Sequence, residues 1–344
     1  MSRREDVVTV LLGTWLMAGL AVDGWAHTNL GGLETFFTPW HALFYSGFTA
    51  TAAWILWSSW RRRQPGHLLI DAIPEGYGLG VVGLGIFAVG GAGDMIWHTI
   101  FGIEVDIDAL MSPTHLVLYA GGILILTSPL RAEWARPGPV TGMRQFAPAL
   151  LSAALATSLT AFFFLYLSPF LDVDMSARET GFLTEEFSGG GGGYAYFSNL
   201  RGGIAGILLT TLILYASALL LLRRGQTPML SFTVMFALVA AMIQGVGAFT
   251  RPWMVAVAGI GGLGADLLVR RLRPAVERPG SFRIFAGLAP ILLWAPYVAA
   301  IALTDGIGWE LEIWSGVVIW SGILGLGLSL LVIPPALPQA SEKS

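Results

Sequence analysis

Two matching sets of one aspartate and two histidines have the types and spacing that could do chemistry in this chain. Each set has Asp-x-x-x-His, followed by a further histidine two residues after a proline. The sets are Asp23, His27 and His41, and Asp94, His98 and His115. Because residues four apart share one face of a helix, the aspartate and the first histidine of each set lie together. Imidazole and carboxylate groups gathered in this way are typical of a metal site.

The two sets belong to an internal repeat. Asp23 lies 71 residues before Asp94, and His41 lies 74 residues before His115. Three further pairs keep the offset of 74: Pro39 with Pro113, Tyr45 with Tyr119 and Gly47 with Gly121. Glu34 and Asp108, each seven residues before the last histidine of its set, are predicted to accept a hydrogen bond from the second ring nitrogen of a ligand. The repeat indicates a duplicated two-helix unit.

Local signals place these residues at helix ends. Thr38 is an N-cap residue type followed by a proline, so a helix is predicted to begin there with His41 in its first turn. Ser112, also followed by a proline, predicts the same for His115. The partial positive charge at a helix N-terminus disfavours protonation of an imidazole, and a metal ion requires the neutral imidazole.

The composition indicates what surrounds these residues. The chain has 344 residues, of which 55% are hydrophobic and 12% charged, and it has no cysteine. A soluble domain carries about 25% charged residues, so the soluble, disordered, collagen-like and disulfide-rich classes are excluded. Without cysteine, thiolate metal ligands are excluded as well. We therefore expect an all-α fold, a polytopic transmembrane helical bundle.

About ten apolar stretches are long enough to cross a bilayer, which needs about 20 residues for each helix. They lie near residues 7–26, 38–60, 77–99, 112–130, 146–168, 201–222, 228–249, 253–269, 284–304 and 313–334. The stretch near 253–269 is the shortest. Arginines concentrate at alternate ends of these stretches, which predicts that the N- and C-termini are both cytoplasmic. Both Asp/His sets then face the extracytoplasmic side, in the plasma (inner) membrane of a prokaryote.

The repeat and the apolar stretches together predict two parts. Residues 1–130 form the duplicated metal-binding unit, made of 1–63 and 70–130, and residues 131–344 form a helical membrane scaffold. Within the scaffold, the acidic and glycine-rich segment 169–200 is predicted to be an outer loop, either a flexible lid or a disordered connector. We expect the lipid bilayer as surroundings and no nucleic-acid partner, and further membrane subunits or a homo-oligomer remain open.

The second set resembles a motif of the C subunit of membrane-bound copper monooxygenases, the particulate methane and ammonia monooxygenase family. That subunit carries Asp-x-x-x-His at a helix end, often with Trp before the His, and then Thr-Pro-Ser-His opening the next helix. This chain reads Asp94-Met-Ile-Trp-His98 and Ser112-Pro-Thr-His115, followed by Tyr119, over about 30 residues. The resemblance implies that Asp94, His98 and His115 bind copper within the membrane region. It also implies oxidation of a small, poorly reactive molecule with O2.

Three functions are compatible with these residues. The first is an oxidoreductase, or a subunit of one, whose copper site activates O2 toward a small apolar substrate. The second is a non-catalytic copper or zinc carrier, sensor or storage protein, and the third is a zinc-dependent membrane hydrolase that uses metal-activated water. We expect copper as the cofactor, with zinc and iron as alternatives, and all six Asp and His residues as metal ligands. They could form two sites, one site with a degenerate copy, or one dinuclear centre.

Overall fold

The computed structural model describes residues 1–30, 35–104, 106–138, 140, 142–186 and 192–335, and every regular element within them is a helix. The α-helices are α1 (Arg3–Asn29), α2 (Pro39–Trp60), α3 (Gly78–Phe101), α4 (Asp106–Met111), α5 (Pro113–Leu126), α6 (Ser128–Ala135), α7 (Met143–Phe163), α8 (Ala177–Glu186), α9 (Gly192–Arg224), α10 (Ser231–Val246), α11 (Trp253–Leu272), α12 (Pro279–Thr304) and α13 (Leu311–Val332). Short 3₁₀ helices occupy Leu69–Ala72 and Leu165–Leu167. The predicted all-α class is confirmed.

Eight of the described helices are long and apolar enough to cross a membrane, which supports an integral membrane protein. They are α1, α3, α5 continued by α6, α7, α9, α11, α12 and α13. The two other predicted spans are helical as well, as α2 and the 16-residue α10. Helices therefore occupy all ten positions at which apolar stretches were predicted.

Two details of the prediction were wrong. The segment 169–200 is not a loop throughout, because it contains α8 and the first residues of α9, which begins at Gly192 rather than near residue 201. Ser176 initiates α8, since its Oγ accepts a hydrogen bond from the backbone N–H of Glu179 at 3.2 Å. Among the ten predicted spans the shortest is α10, with 16 residues, whereas α11 is 20 residues long. The turn after α10, in which Ala248 and Phe249 both adopt positive φ, ends that helix early.

The repeat seen in the sequence is also a repeat in packing. Helix α1 packs antiparallel on α2, and α3 packs antiparallel on α5. A Cβ atom added to Gly47 would lie 2.7 Å from Cα of Leu16, and one added to Gly121 would lie 2.7 Å from the backbone N of Phe87. Leu16 and Phe87 are 71 residues apart, the same offset as the two aspartates. The duplicated units thus share a helix crossing that only glycine allows.

Helix α7 joins two apolar clusters. One side of α7 packs on α1 and α5, and Leu155, Leu159 and Phe162 belong to the apolar cluster there. The other side packs on α9 and α10, and Leu150 and Ala154 belong to the second cluster. Because α1 also packs directly on α10, the duplicated unit contacts the rest of the bundle through α7 and α10.

A buried ion pair holds the end of the duplicated unit that lies away from the histidines. Asp6 is fully buried, and its carboxylate accepts hydrogen bonds from the Tyr77 hydroxyl at 2.8 Å and from the Arg136 guanidinium. Glu133 forms two ion pairs, one with Arg136 at 2.5 Å and one with Arg3 at 2.7 Å. These contacts tie the start of α1 to α6 and to the start of α3.

Candidate metal centre

Helix ends position all six predicted ligands. Asp23 and His27 lie at the end of α1, and Asp94 and His98 lie at the end of α3. The predicted starts of α2 and α5 are confirmed. The backbone N–H of His41 donates to Oγ1 of Thr38 at 3.1 Å, and that of His115 donates to Oγ of Ser112 at 3.5 Å.

The first set gathers around one carboxylate oxygen. Oδ2 of Asp23 lies 3.9 Å from Nε2 of His27 and 3.6 Å from Nε2 of His41. Both distances exceed that of a hydrogen bond. Two donors bound to the same ion at about 2.0–2.2 Å are themselves roughly 3–3.5 Å apart, so a small inward movement would suit a shared metal ion.

The second set repeats this arrangement more tightly. Oδ1 of Asp94 lies 3.3 Å from Nε2 of His98 and 2.9 Å from Nε2 of His115. The same carboxylate accepts hydrogen bonds from two neighbouring hydroxyls, Tyr45 at 2.8 Å and Thr114 at 3.2 Å. Asp94 is therefore held in place by groups other than the histidines.

The structure brings the two sets into one cluster, which the sequence alone did not predict. The ring centroids of His27, His41, His98 and His115 follow one another at 5.6, 5.9 and 5.6 Å. Two groups of three residues have ligand atoms within 4.8 Å of one another: Asp23, His27 and His41, and His41, Asp94 and His98. In the second group His41 comes from the first repeat. Tyr45, also from the first repeat, binds Asp94 of the second.

Backbone carbonyl groups orient three of the four imidazoles. The Nδ1 atom of His41 is 2.6 Å from the carbonyl of Phe36, and that of His98 is 3.1 Å from the carbonyl of Gly102. Nδ1 of His115 contacts the carbonyl of Ala109. In the neutral ring these nitrogens carry the proton, since a carbonyl can only accept. Each Nε2 then turns a lone pair toward a carboxylate oxygen.

Several polar atoms of this cluster are buried without a hydrogen-bond partner. Among the described residues seven such side-chain atoms occur, and four belong here: Oδ1 of Asp23, Nδ1 of His27, Nε2 of His98 and Oε2 of Glu104. Leaving a buried polar atom unpaired costs about 1–3 kcal/mol. A cation coordinated by the carboxylates and by Nε2 lone pairs would remove much of that cost, so the residues present fit a metal ion.

Two carboxylates, Glu34 and Asp108, were predicted to accept hydrogen bonds from the ligand histidines. Glu34 lies outside the described residues. Asp108 is exposed on α4, and its predicted role remains untested. A third carboxylate, Glu104, was not singled out by the sequence. Its Oε2 lies 3.2 Å from Nδ1 of His98, and its Oε1 accepts a hydrogen bond from Nε1 of Trp97. Its position three residues after the end of α3 is the only signal that could have identified it.

A cavity of about 550 Å³ opens beside the cluster. Five of the six predicted ligands line it: Asp23, His27, His41, Asp94 and His115. Apolar side chains of α1, α3, α5 and α7 form most of the remaining wall, among them Leu16, Phe87, Leu118 and Leu159. A polar cluster that meets an apolar cavity is the usual composition of a site for a small organic molecule.

No protein-family model matches the chain, and the comparisons with curated proteins and with solved structures return no match. The class that the fold and the site define is an integral membrane protein with buried Asp/His groups that could bind a metal ion. The resemblance to the copper monooxygenase C subunit rests on the motif of the second repeat and stays a prediction.

Proposed function

We propose that this chain binds copper at the Asp/His cluster and uses O2 to oxidise an apolar molecule, as an oxidoreductase or a subunit of one. We further propose ten membrane spans, cytoplasmic termini and a cluster at the extracytoplasmic face. The arginine distribution supports this topology, and the helices at all ten expected positions are consistent with it. The motif of the second repeat supports copper over zinc and iron.

One observation carries the metal proposal. Nε2 atoms of all four histidines point at two buried carboxylates, and three of the rings have Nδ1 engaged by a carbonyl. A lone pair that faces a carboxylate oxygen in a buried site needs a positive charge between them, which a proton supplies to one pair and a metal ion supplies to several ligands at once. Imidazole and carboxylate ligands suit a divalent copper ion.

The cavity supports the oxidative part of the proposal. When bound, copper would supply electrons to O2, so that one oxygen atom enters a C–H bond of the substrate and the other leaves as water. A two-electron reductant from outside the chain must provide two electrons and two protons. The residues of the chain would hold the ligands in place and bind the apolar body of the substrate against the mostly apolar wall of the cavity.

The deciding experiment is metal analysis of the purified protein, with electron paramagnetic resonance of the oxidised sample. We expect copper and a Cu(II) signal with nitrogen hyperfine structure in the wild type. His98→Ala should lose most of that signal. The matched control is His67→Ala, which removes the one histidine outside the cluster, an exposed residue.

The outcomes separate the alternatives. Stoichiometric zinc without copper would overturn the oxidative proposal and favour the hydrolase or metal-handling functions. Absence of any metal from the wild type, or an equal loss of metal in His67→Ala and His98→Ala, would overturn the metal site altogether. The same measurement on His27→Ala tests the first repeat, which we expect to contribute to copper binding because Asp23, His27 and His41 form one of the two ligand groups.

A further inference from the structure

The cavity beside the cluster extends well below the ligands. Leu16, Phe87 and Gly122 all line it, and each lies seven residues from a predicted ligand on the same helix, namely from Asp23, Asp94 and His115 in that order. Seven residues of α-helix span about 10 Å. The cavity therefore reaches about two helical turns from the cluster into the apolar part of the bundle, and Leu159 of α7 packs beside Gly122 at the same depth.

The size of the cavity is large for a gas molecule. A cavity of about 150 Å³ lined by apolar side chains holds one benzene ring. The cavity here measures about 550 Å³, so by proportion the whole of it holds at most about 20 carbon atoms, and its deep part alone holds fewer. This volume also lies within the range of about 300–1,000 Å³ found for sites that enclose drug-sized ligands.

The wall of the deep part is almost entirely apolar, and the hydroxyl of Tyr119, which lies between Leu118 and Gly122, is already hydrogen-bonded to Oγ1 of Thr160 at 3.2 Å. Leu16, Phe87, Leu118 and Leu159 are all at least nine-tenths buried, and none carries a hydrogen-bonding side chain. The ionisable groups that line the cavity are the Asp and His residues of the cluster, together with Asp172 and the phenols of Tyr119 and Tyr166. A substrate that fills the deep part is therefore held chiefly by apolar contact.

From this geometry we infer that the substrate is a hydrocarbon of roughly 10–20 carbons, an alkyl chain or a fused ring system, with its apolar body in the deep cavity and one carbon at the cluster. The inference rests on the proposed function, and it specifies the apolar substrate of that function as a hydrocarbon that fills the deep cavity. The reaction converts one C–H bond and O2 to an alcohol and water, with two electrons and two protons from a two-electron reductant such as ascorbate.

Leu118 is the position at which the inference is best tested. It is buried on α5, lines the cavity and lies three residues below His115. Leu118→Phe should extend the side chain into the cavity and leave too little room for a long chain. Leu116→Phe is the matched control, because Leu116 lies two residues away on the same helix but is 44% exposed and is not among the residues that line this cavity.

The experiment uses the full chain, loaded with copper in lipid nanodiscs. Perdeuterated n-dodecane and perdeuterated decalin are added as the linear and fused-ring probes, and deuterated methane as the small one. Electron spin-echo modulation from deuterium reports a probe next to Cu(II), and product analysis after addition of ascorbate and O2 reports oxidation. We expect modulation and alcohol product from dodecane or decalin in the wild type and in Leu116→Phe, and at least a tenfold loss of both in Leu118→Phe.

Other results would overturn the inference. Modulation or product from methane alone would agree with the proposed function but would refute a substrate of 10–20 carbons. Bound copper with no response to any of the three probes would also overturn the inference. A protein that binds no copper would instead remove the proposed function, and the inference with it.

Discussion

The glycine of the first helix crossing sets the distance between two predicted ligands, so its replacement by alanine should weaken metal binding. A Cβ atom at Gly47 would lie 2.7 Å from Cα of Leu16, whereas ordinary contact begins near 3.4 Å. The neighbour is backbone, so relief requires α1 and α2 to separate by about 0.7 Å. Oδ2 of Asp23, now 3.6 Å from Nε2 of His41, would then lie about 4.3 Å away. That exceeds the roughly 3–3.5 Å between two donors bound to the same ion.

The second repeat gives an internal comparison for this prediction. Gly121→Ala has the same 2.7 Å clash, with the backbone N of Phe87. It should widen the 2.9 Å separation between Asp94 and His115 to about 3.6 Å, which remains close to the range for a shared ion. Both variants should lose about 1–3 kcal/mol of stability through overpacking. Gly47→Ala should lose more copper than Gly121→Ala.

The assay is copper content and thermal unfolding of the two variants beside a third. Gly85→Ala lies on α3, where a Cβ atom meets nothing within 4 Å. It should retain full copper and match or slightly exceed the wild type in stability, because alanine is the better helix former by about 1 kcal/mol. If Gly47→Ala behaves as Gly85→Ala does, the close helix crossing does not fix the ligand distance and the reasoning is wrong.

Three further predictions concern stability. Removing the metal with a chelator should lower the unfolding temperature, and added copper should restore it. The reason is that an ion that binds only the folded state stabilises it by about 4 kcal/mol at 1,000 times its Kd. An unchanged unfolding temperature would contradict a metal site. Arg136→Met should lower the free energy of unfolding by about 3–5 kcal/mol, because it leaves the buried charge of Asp6 without its cation. Thermal or denaturant unfolding measures this, and a loss below about 1 kcal/mol would show that the ion pair is dispensable. Burial and neighbouring carboxylates raise the pKa of Asp174 to about 6. The folded state therefore binds this proton more tightly than the unfolded state does. The resulting stabilisation of the fold is full below about pH 4 and is lost as the pH rises through 6. The unfolding temperature of the wild type should therefore fall between pH 4 and pH 7 by more than that of Asp174→Asn, and parallel curves would refute this assignment.

The helix ends of the candidate site were predictable because their signals are local. Thr38 and Ser112, each before a proline, predicted the starts of α2 and α5. The i, i+4 spacing of Asp23 and His27 predicted a shared helix face, and the structure places their side chains within 3.9 Å. These features depend on a few adjacent residues, which is why the sequence alone sufficed for them.

The contacts between the repeats were not predictable in the same way. The position of His41 beside Asp94 and His98 depends on how one helix pair packs against the other. The partners of the Nδ1 atoms are backbone carbonyls, so no side-chain type at Phe36, Gly102 or Ala109 could reveal them. Composition was also misleading for α8. The acidic residues of the segment 169–200 led to the prediction of a loop, although Ser176 in the same segment initiates a helix.

The antiparallel pairing of α1 with α2 and of α3 with α5 has a consequence for the origin of the site. Each repeat crosses the bundle twice, so the second copy begins on the same side as the first and runs in the same direction. A duplication that contained an odd number of crossings would have inverted the second copy and put its histidines at the opposite face. Because both helical hairpins run in the same direction, their Asp/His ends lie at the same end of the bundle and can form one cluster.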